Sequence, residues 1–276
     1  MHLFPGPPHP IYQNGEPDRR PKLFGEDMKM IKQVIGATLG VALGVYGVAS
    51  AQDGKMMDKM DKPGKFMVKI ENISSKDGMK AKDGTKWPFA MSPGLCIVHT
   101  NNAPVFDAGK KDRGKGLEAQ AEDGNPGMLA DSLKADKGVK SVTLFNTPIG
   151  ASAPGPIGLG AAYECSFEAA AGSKLTITSM FGQSNDLFYA PAESGIALFK
   201  DGKPVSGDIT SQIILWDAGT EKHQEPGVGK DQAPRQKAAN TGEAENGTVR
   251  KIKDVKDGFS YPETASVMKV TVAPAK

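Results

Sequence analysis

The chain has 276 residues, enough for one large domain or two small ones. Its formal net charge is only +2 at pH 7, and no run of basic residues interleaved with aromatic ones occurs, so bulk charge gives no support for a nucleic-acid partner. The 33 glycines and 20 prolines follow no repeat, and they predict many turns between short strands rather than long helices.

The N-terminal region has the pattern of a secretory signal peptide. A basic start at residues 28–32 precedes an apolar run at residues 34–48, and Ala49-Ser50-Ala51 then forms a small-residue cleavage site. The apolar run is short and glycine-rich for a membrane span, although an uncleaved anchor is the alternative. We therefore expect a signal peptide over residues 28–51, cleavage after Ala51, and a periplasmic or secreted protein.

The segments on either side of this signal are interpreted from their composition. Residues 1–27 are polar and proline-rich, and because signal peptides begin with their basic region, we interpret them as a mis-annotated upstream extension. Residues 52–64 are charged, rich in methionine and free of β-branched side chains, which predicts a disordered linker. Residues 65–276 then form one domain.

Short strands follow one another along this domain. Alternating apolar and polar residues predict a half-buried strand at residues 65–73, and a β-hairpin is predicted from residues 161–170 and 174–180 around Ala171-Gly172-Ser173. Further strands are predicted at residues 94–100, 142–145, 195–199, 209–216, 249–255 and 265–272, and short helical turns at residues 117–122 and 128–133. This pattern predicts an all-β fold, an antiparallel β-sandwich with long loops and one or two short helical turns.

Cys96 and Cys165 are the two cysteines of the chain. After export they would meet an oxidising compartment, in which a disulfide can form. The alternative is two separately buried thiols that act as small apolar residues. Two cysteines alone define no geometry, so the sequence leaves both interpretations open.

Acidic loops flank two of the predicted strands. Asp186 lies in one of them, and Asp217 and Glu221 lie in the segment DAGTE that follows residues 209–216. Gly219 permits a tight turn, so Asp217 and Glu221 can converge on one side. Clustered carboxylates repel one another, and a dication such as Ca²⁺, which binds about six to eight oxygens, removes that repulsion. Three solvated loop acids are the alternative.

Eight segments, in chain order, also carry a family resemblance: FMVKIENIS, SPGLCIVHTNNAPVFDAG, GLEAQAEDGNP, FNTPIGASAPGPIGLGAAYE, TSMFGQSNDLFYAP, GIALFKDGKPVSGDITSQIILWDAGTE, EPGVGKDQAPRQ and NTGEAENGTVR. In them the chain resembles the bacterial, secreted form of the spondin domain, whose animal members include the N-terminal domains of F-spondin and mindin. The resemblance implies a C2-like antiparallel β-sandwich with a calcium ion held by Asp186, Asp217 and Glu221. The chain departs from the animal pattern at Leu187, where that pattern has Trp, and at Glu221, where it has Asp.

The function that follows from these residues is an exported, non-catalytic calcium-binding module. The resemblance implies adhesion or recognition, with a glycan, matrix or cell-surface protein as the partner. The alternative is a metal-dependent hydrolase that uses Asp186, Asp217 and Glu221 with His223 as its general base. His99, alone in a strand, is predicted to be a structural hydrogen-bonding residue.

Overall fold

A computed structural model describes residues 63–275. Within them the strands are β1 (Gly64–Asn72), β2 (Met79–Lys80), β3 (Lys86–Trp87), β4 (Met91–His99), β5 (Val139–Phe145), β6 (Ala162–Ala169), β7 (Lys174–Phe181), β8 (Leu187–Ala190), β9 (Ile196–Ala197), β10 (Phe199–Lys200), β11 (Lys203–Pro204), β12 (Gly207–Asp208), β13 (Ile214–Asp217), β14 (Arg250–Lys251) and β15 (Met268–Pro274). The helices are α1 (Leu117–Asp123), α2 (Gly127–Lys134) and α3 (Thr264–Val267), with 3-10 turns at Thr210–Gln212 and Ile252–Asp254.

Two antiparallel sheets form the sandwich, and two further two-stranded sheets, β2-β3 and β10-β11, lie outside it. The smaller sheet has the strand order β12-β15-β1-β6, and the larger has the order β14-β13-β8-β7-β4-β5, with β9 also paired to β7. Phe66, Val68 and Ile70 of β1 are buried, as their alternation predicts, and they share one core with residues of β4 and β7. The predicted antiparallel β-sandwich is therefore confirmed.

Apolar clusters cover both faces of the larger sheet at β4, which explains why β4 lacks a polar face. Cys96 and Val98 face the core between the sheets, whereas Leu95 and Ile97 belong to a second cluster with residues of α1 and α2. A strand covered on both faces reads as a continuous apolar run, because each of its side chains has an apolar neighbour. The two helical turns predicted at residues 117–122 and 128–133 are these two helices.

A disulfide joins Cys96 of β4 to Cys165 of β6 and so links the two sheets covalently. The cysteines are 69 residues apart in the sequence. A cross-link that closes a loop of this length stabilises the fold by about 4 kcal/mol, mainly by restricting the unfolded chain.

Several predicted elements differ in the structure. The β-hairpin is wrong: β6 pairs with β1, and β7 pairs with β4, β8 and β9, so the turn at Ala171-Gly172-Ser173 carries the chain from one sheet to the other. The predicted strands at residues 209–216, 249–255 and 265–272 each lose part of their length to the helical segments Thr210–Gln212, Ile252–Asp254 and α3. In each case the alternation of apolar side chains extends beyond the backbone pairing.

The signal peptide at residues 28–51, the upstream extension at residues 1–27 and nearly all of the linker at residues 52–64 lie outside the described residues. Among residues 63–275, no helix is both long and apolar enough to cross a membrane.

Candidate metal centre

Strand pairing brings Asp186 and Asp217 together. Asp217 is the last residue of β13 and lies opposite Leu187, the first residue of β8. Asp186 immediately precedes Leu187, so both carboxylates lie at the same end of these two strands. Both residues are fully buried, with 0% of their surface exposed. The loop acids predicted from residues far apart in the sequence therefore share one buried site.

Asp186 also organises the turn that follows β13. Its Oδ2 accepts hydrogen bonds from the backbone N–H of Thr220 at 2.8 Å and of Glu221 at 3.1 Å. Asp217 Oδ1 accepts the N–H of Gly219 at 2.6 Å. Gly219 has a φ of +70°, and a Cβ there would meet the backbone nitrogen of Thr248 at 2.6 Å, so the tight turn depends on glycine.

His223 reaches the same carboxylates from beyond the turn. Its Nε2 lies 3.4 Å from Asp186 Oδ1 and 3.5 Å from Asp217 Oδ1, and its side chain is only 7% exposed. Its Nδ1 lies 2.7 Å from Asp257 Oδ2. An ionised carboxylate only accepts hydrogen bonds, so the proton of a neutral His223 sits on Nδ1 and the lone pair of Nε2 faces the two aspartates.

Glu245 completes the set of potential ligands. Backbone hydrogen bonds place the chain around Glu245 beside the turn, from Glu245 N to Thr220 O at 2.9 Å and from Gly247 N to Gly219 O at 2.7 Å. One ligand atom from each of Asp186, Asp217, His223 and Glu245 lies within 4.8 Å of all the others. This cluster could hold a metal ion.

Arg250 offsets part of the negative charge. Its Nε donates to Asp217 Oδ2 at 2.7 Å, and its Nη2 donates to Glu245 Oε1 at 2.5 Å. Burial raises the pKa of Asp217, but the positive charge of a protonated His223 and the hydrogen bond from Arg250 outweigh it, so the pKa is lowered. Burial lowers the pKa of His223, but Asp186 and Asp217 outweigh it and raise the value to about 11 in the metal-free protein.

Charge balance still favours an additional cation. The four carboxylates of Asp186, Asp217, Glu245 and Asp257 face Arg250 and His223, so two negative charges remain even when His223 is protonated. Uncompensated charge in a buried site is costly, because the low-dielectric interior does not solvate it.

Glu221, the third predicted ligand, is buried but is not one of the four clustered residues. It is 4% exposed, and its Oε1 packs so closely on Gly242 that a Cβ there would lie 1.1 Å from it. Burial, followed by the charge of Glu122, raises the pKa of Glu221 to about 8. The structure therefore places Glu221 beside the site, with its carboxylate facing Gly242.

Glu122 of α1 is a second buried acid that the sequence analysis did not single out. It is 4% exposed, and burial, followed by the charges of Glu118 and Asp186, raises its pKa to about 7. Its position in the last turn of a short helix gave no signal, because an acid there is normally solvated. The sequence suggests His223 only as a base and gives no specific signal for Glu245 or Asp257. Residues 223–247 do form a long polar segment, of the kind that is usually functional or disordered.

Unpartnered atoms test whether these residues fit a metal ion. Asp186 Oδ1, Glu221 Oε1 and His223 Nε2 are buried and have no hydrogen-bond partner within residues 63–275. Leaving a buried polar atom unpaired costs about 1–3 kcal/mol, and more for a charged group. With His223 neutral, all three atoms carry a free lone pair. One cation could therefore satisfy all of them, in place of a separate N–H donor for each atom. The donor set fits a divalent cation.

Comparison of the chain with models of known protein families gives no match, and comparison with curated proteins gives none either.

Proposed function

We propose that this chain is an exported, non-catalytic β-sandwich module that binds a calcium ion at Asp186, Asp217 and Glu221. The observation that carries the proposal is the set of buried donor atoms, Asp186 Oδ1, Glu221 Oε1 and His223 Nε2, which lack hydrogen-bond partners among the described residues 63–275. Calcium prefers carboxylate and carbonyl oxygens in flexible geometry, and two of these three atoms are carboxylate oxygens.

The ion would brace the loops at one end of the sandwich. Asp186 precedes β8, Asp217 ends β13, and Glu221 is followed by the long segment at residues 223–247. An ion shared by these loops would hold them in one arrangement, because each loop contributes a ligand. We propose that the ordered loops recognise a glycan, a matrix component or a cell-surface protein, which the resemblance to spondin domains supports. The signal-peptide pattern supports export.

A metal-dependent hydrolase is the second candidate, and one observation favours it. Tyr261, whose hydroxyl lies 3.3 Å from His223 Nδ1, lines a cavity of about 410 Å³ together with Phe259 and Lys251. Asp186, Asp217 and His223 do not line that cavity, and hydrolysis needs an open metal position that substrate can reach. Zinc-dependent hydrolysis that is lost in Tyr261→Phe would favour this second candidate.

Thermal unfolding with and without calcium tests the leading proposal. A ligand present at about 100 times its Kd stabilises the folded state by about 2.7 kcal/mol, which for a domain of this size is about 5–10 °C in Tm. We expect millimolar CaCl₂ to raise the Tm of the EDTA-treated protein by about this amount, and Asp217→Asn to remove most of the shift.

Asp208→Asn is the matched control. Asp208 Oδ1 accepts the N–H of Thr210 at 2.8 Å, as Asp217 Oδ1 accepts that of Gly219, but Asp208 lies in β12, away from the cluster. It should therefore keep the full calcium shift. No shift in the unsubstituted protein, or an equal shift in Asp217→Asn, would overturn the proposal.

A further inference from the structure

His223 differs from the other donors of the site, because it offers a nitrogen. Its Nδ1 is held 2.7 Å from Asp257 Oδ2, and Asp257 is itself fixed by the N–H of Phe259, which donates to Oδ1 at 2.8 Å. A carboxylate that accepts the proton of one ring nitrogen fixes the tautomer and orients the other nitrogen toward a metal. That other nitrogen, Nε2, is buried, has no hydrogen-bond partner within the part of the chain that the structure describes, and faces Asp186 and Asp217.

The spacing of these atoms fits an ion between them. Nε2 of His223 lies 3.4 and 3.5 Å from the nearest oxygens of Asp186 and Asp217. Tetrahedral zinc with bonds of about 2.0–2.1 Å places neighbouring ligand atoms about 3.3–3.4 Å apart. Octahedral ligands at about 2.4 Å from calcium are about 3.4 Å apart as well, so the spacing fits both ions and the donor type decides between them.

The imidazole nitrogen of His223 favours a transition metal. Imidazole suits zinc, copper, iron and nickel, whereas carboxylate, carbonyl and water suit calcium and magnesium. Asp186, Asp217, His223 and Glu245 together supply four potential ligands, the number found in closed, structural zinc sites. Arg250 holds both Asp217 and Glu245, and thus keeps two of the four carboxylate or imidazole ligands in place from outside the site.

We propose that His223 is a direct metal ligand through Nε2, and that the site therefore binds Zn²⁺ more tightly than Ca²⁺. This rests on the proposed ion position between Asp186 and Asp217, and it adds a nitrogen ligand and a metal preference. Asp257 is a positioning residue, since it acts on the metal through His223. Calcium then occupies the site where it is abundant and zinc is scarce.

A protonated His223 is the competing occupant of the same space. An imidazolium would place an N–H on Nε2 and donate it to Asp186 or Asp217. Hydrogen bonds from N–H to oxygen span about 2.7–3.2 Å, and both distances here are longer. The gap therefore fits a bound ion better than a shared proton, and the experiment must distinguish the two.

Direct titration of the EDTA-treated full-length protein with ZnCl₂ and CaCl₂, followed by calorimetry or chelator competition, tests the preference. We expect the Kd for zinc to be at least about 100-fold lower than that for calcium. His223→Asn replaces the nitrogen by an amide oxygen, and should weaken zinc binding about 100-fold while changing calcium binding by less than about threefold. Asp257→Asn should weaken zinc binding by about 10–100-fold, as losses of such outer partners do.

Nitrogen NMR of the unsubstituted protein keeps the proposal testable if a variant fails to fold. Zinc should shift the Nε2 resonance of His223 to the value of a metal-bound imidazole and leave that of His99 unchanged. An Nε2 of His223 that keeps its proton in saturating zinc would overturn the proposal in favour of the imidazolium.

The outcomes separate this inference from the proposed function. One outcome is that calcium binds, zinc binds no more tightly, and His223→Asn leaves the Kd for both ions unchanged. This outcome overturns the proposal that His223 is a ligand and leaves the proposed calcium-binding module intact. If neither zinc nor calcium binds, the nitrogen-ligand inference and the proposed calcium-binding function are both overturned.

Discussion

Two buried histidines show opposite solutions to the burial of an imidazole. His99 is fully buried, and both of its nitrogens have neutral partners: Nδ1 lies 2.8 Å from the carbonyl oxygen of Asn101, and Nε2 lies 2.9 Å from Thr176 Oγ1. The His223 side chain is nearly as buried, but one of its nitrogens faces Asp257, and the other faces Asp186 and Asp217 and has no hydrogen-bond partner among residues 63–275.

The two histidines differ in whether the surrounding protein supplies a hydrogen-bond partner for each ring nitrogen. Around His99 the protein itself supplies every hydrogen bond of the ring, so the region needs no ligand and its role is structural. Around His223 the protein supplies an excess of carboxylates and leaves donor atoms unpaired. Buried polar atoms are almost always paired in folded proteins, and a cation at this cluster could satisfy the unpaired lone-pair donors among residues 63–275.

His99→Ala should give the largest effect that separates the two regions. The substitution leaves Thr176 and the Asn101 carbonyl without their partner and opens a cavity, so we expect a loss of about 3 kcal/mol in the free energy of unfolding. The loss should be the same in EDTA and in calcium, as measured by urea denaturation. A loss that depends on calcium would mean that His99 is coupled to the metal site.

Gly242→Ala should give the next largest effect, this time within the metal region. The new Cβ would overlap Glu221 Oε1 and force that carboxylate to move, and a φ of +150° disfavours alanine as well. We expect a loss of about 2–3 kcal/mol in stability and a reduced Tm response to calcium.

Gly207→Ala separates backbone strain from the displacement of Glu221. Gly207 also has a positive φ, +117°, but a Cβ there meets no atom within 4 Å. Gly207→Ala should lower the free energy of unfolding by about 1 kcal/mol and leave the Tm response to calcium unchanged. An equal calcium response in Gly242→Ala and Gly207→Ala would exclude Glu221 as a ligand.

The sandwich was predictable from short-range pattern, but its pairing was not. Phe66, Val68 and Ile70 alternate with polar residues, so the strand and its buried face follow from the sequence alone. The turn at Ala171-Gly172-Ser173 predicts a hairpin equally well, yet it carries the chain between sheets. A local turn pattern does not specify which distant strand pairs with β6, and the partner is β1, far earlier in the chain.

The candidate metal centre formed by Asp186, Asp217, His223 and Glu245 was predictable only in part for the same reason. Asp186 and Asp217 follow from acidic loops and from a family resemblance. His223 and Glu245 lie in a polar segment without periodicity, and their position depends on contacts such as that of Gln224 N with Asn185 Oδ1 at 2.9 Å. Such long-range hydrogen bonds leave no mark in local sequence.

Glu122→Gln should give the smallest effect, and it tests the charge of the metal region through pH. The pKa of Glu122 is about 7 in the folded protein, above its ordinary value of 4.5, because burial disfavours the charged form. The folded state therefore retains this proton more strongly than the unfolded chain does. The resulting stabilisation is complete below pH 4.5 and is lost as the pH rises through 7.

In EDTA, we therefore expect the unsubstituted protein to lose stability between pH 5 and pH 8, and Glu122→Gln to remove about 1–2 kcal/mol of that loss, since glutamine stays neutral. Urea denaturation at both pH values measures it, with Asp131→Asn, an exposed acid of α2, as the control. Calcium should reduce the same pH dependence in the unsubstituted protein, because a cation near Asp186 favours the ionised form of Glu122. A pH dependence that calcium leaves unaltered would place the ion too far from Glu122 to act on it, and would separate this acid from the site that His223 faces.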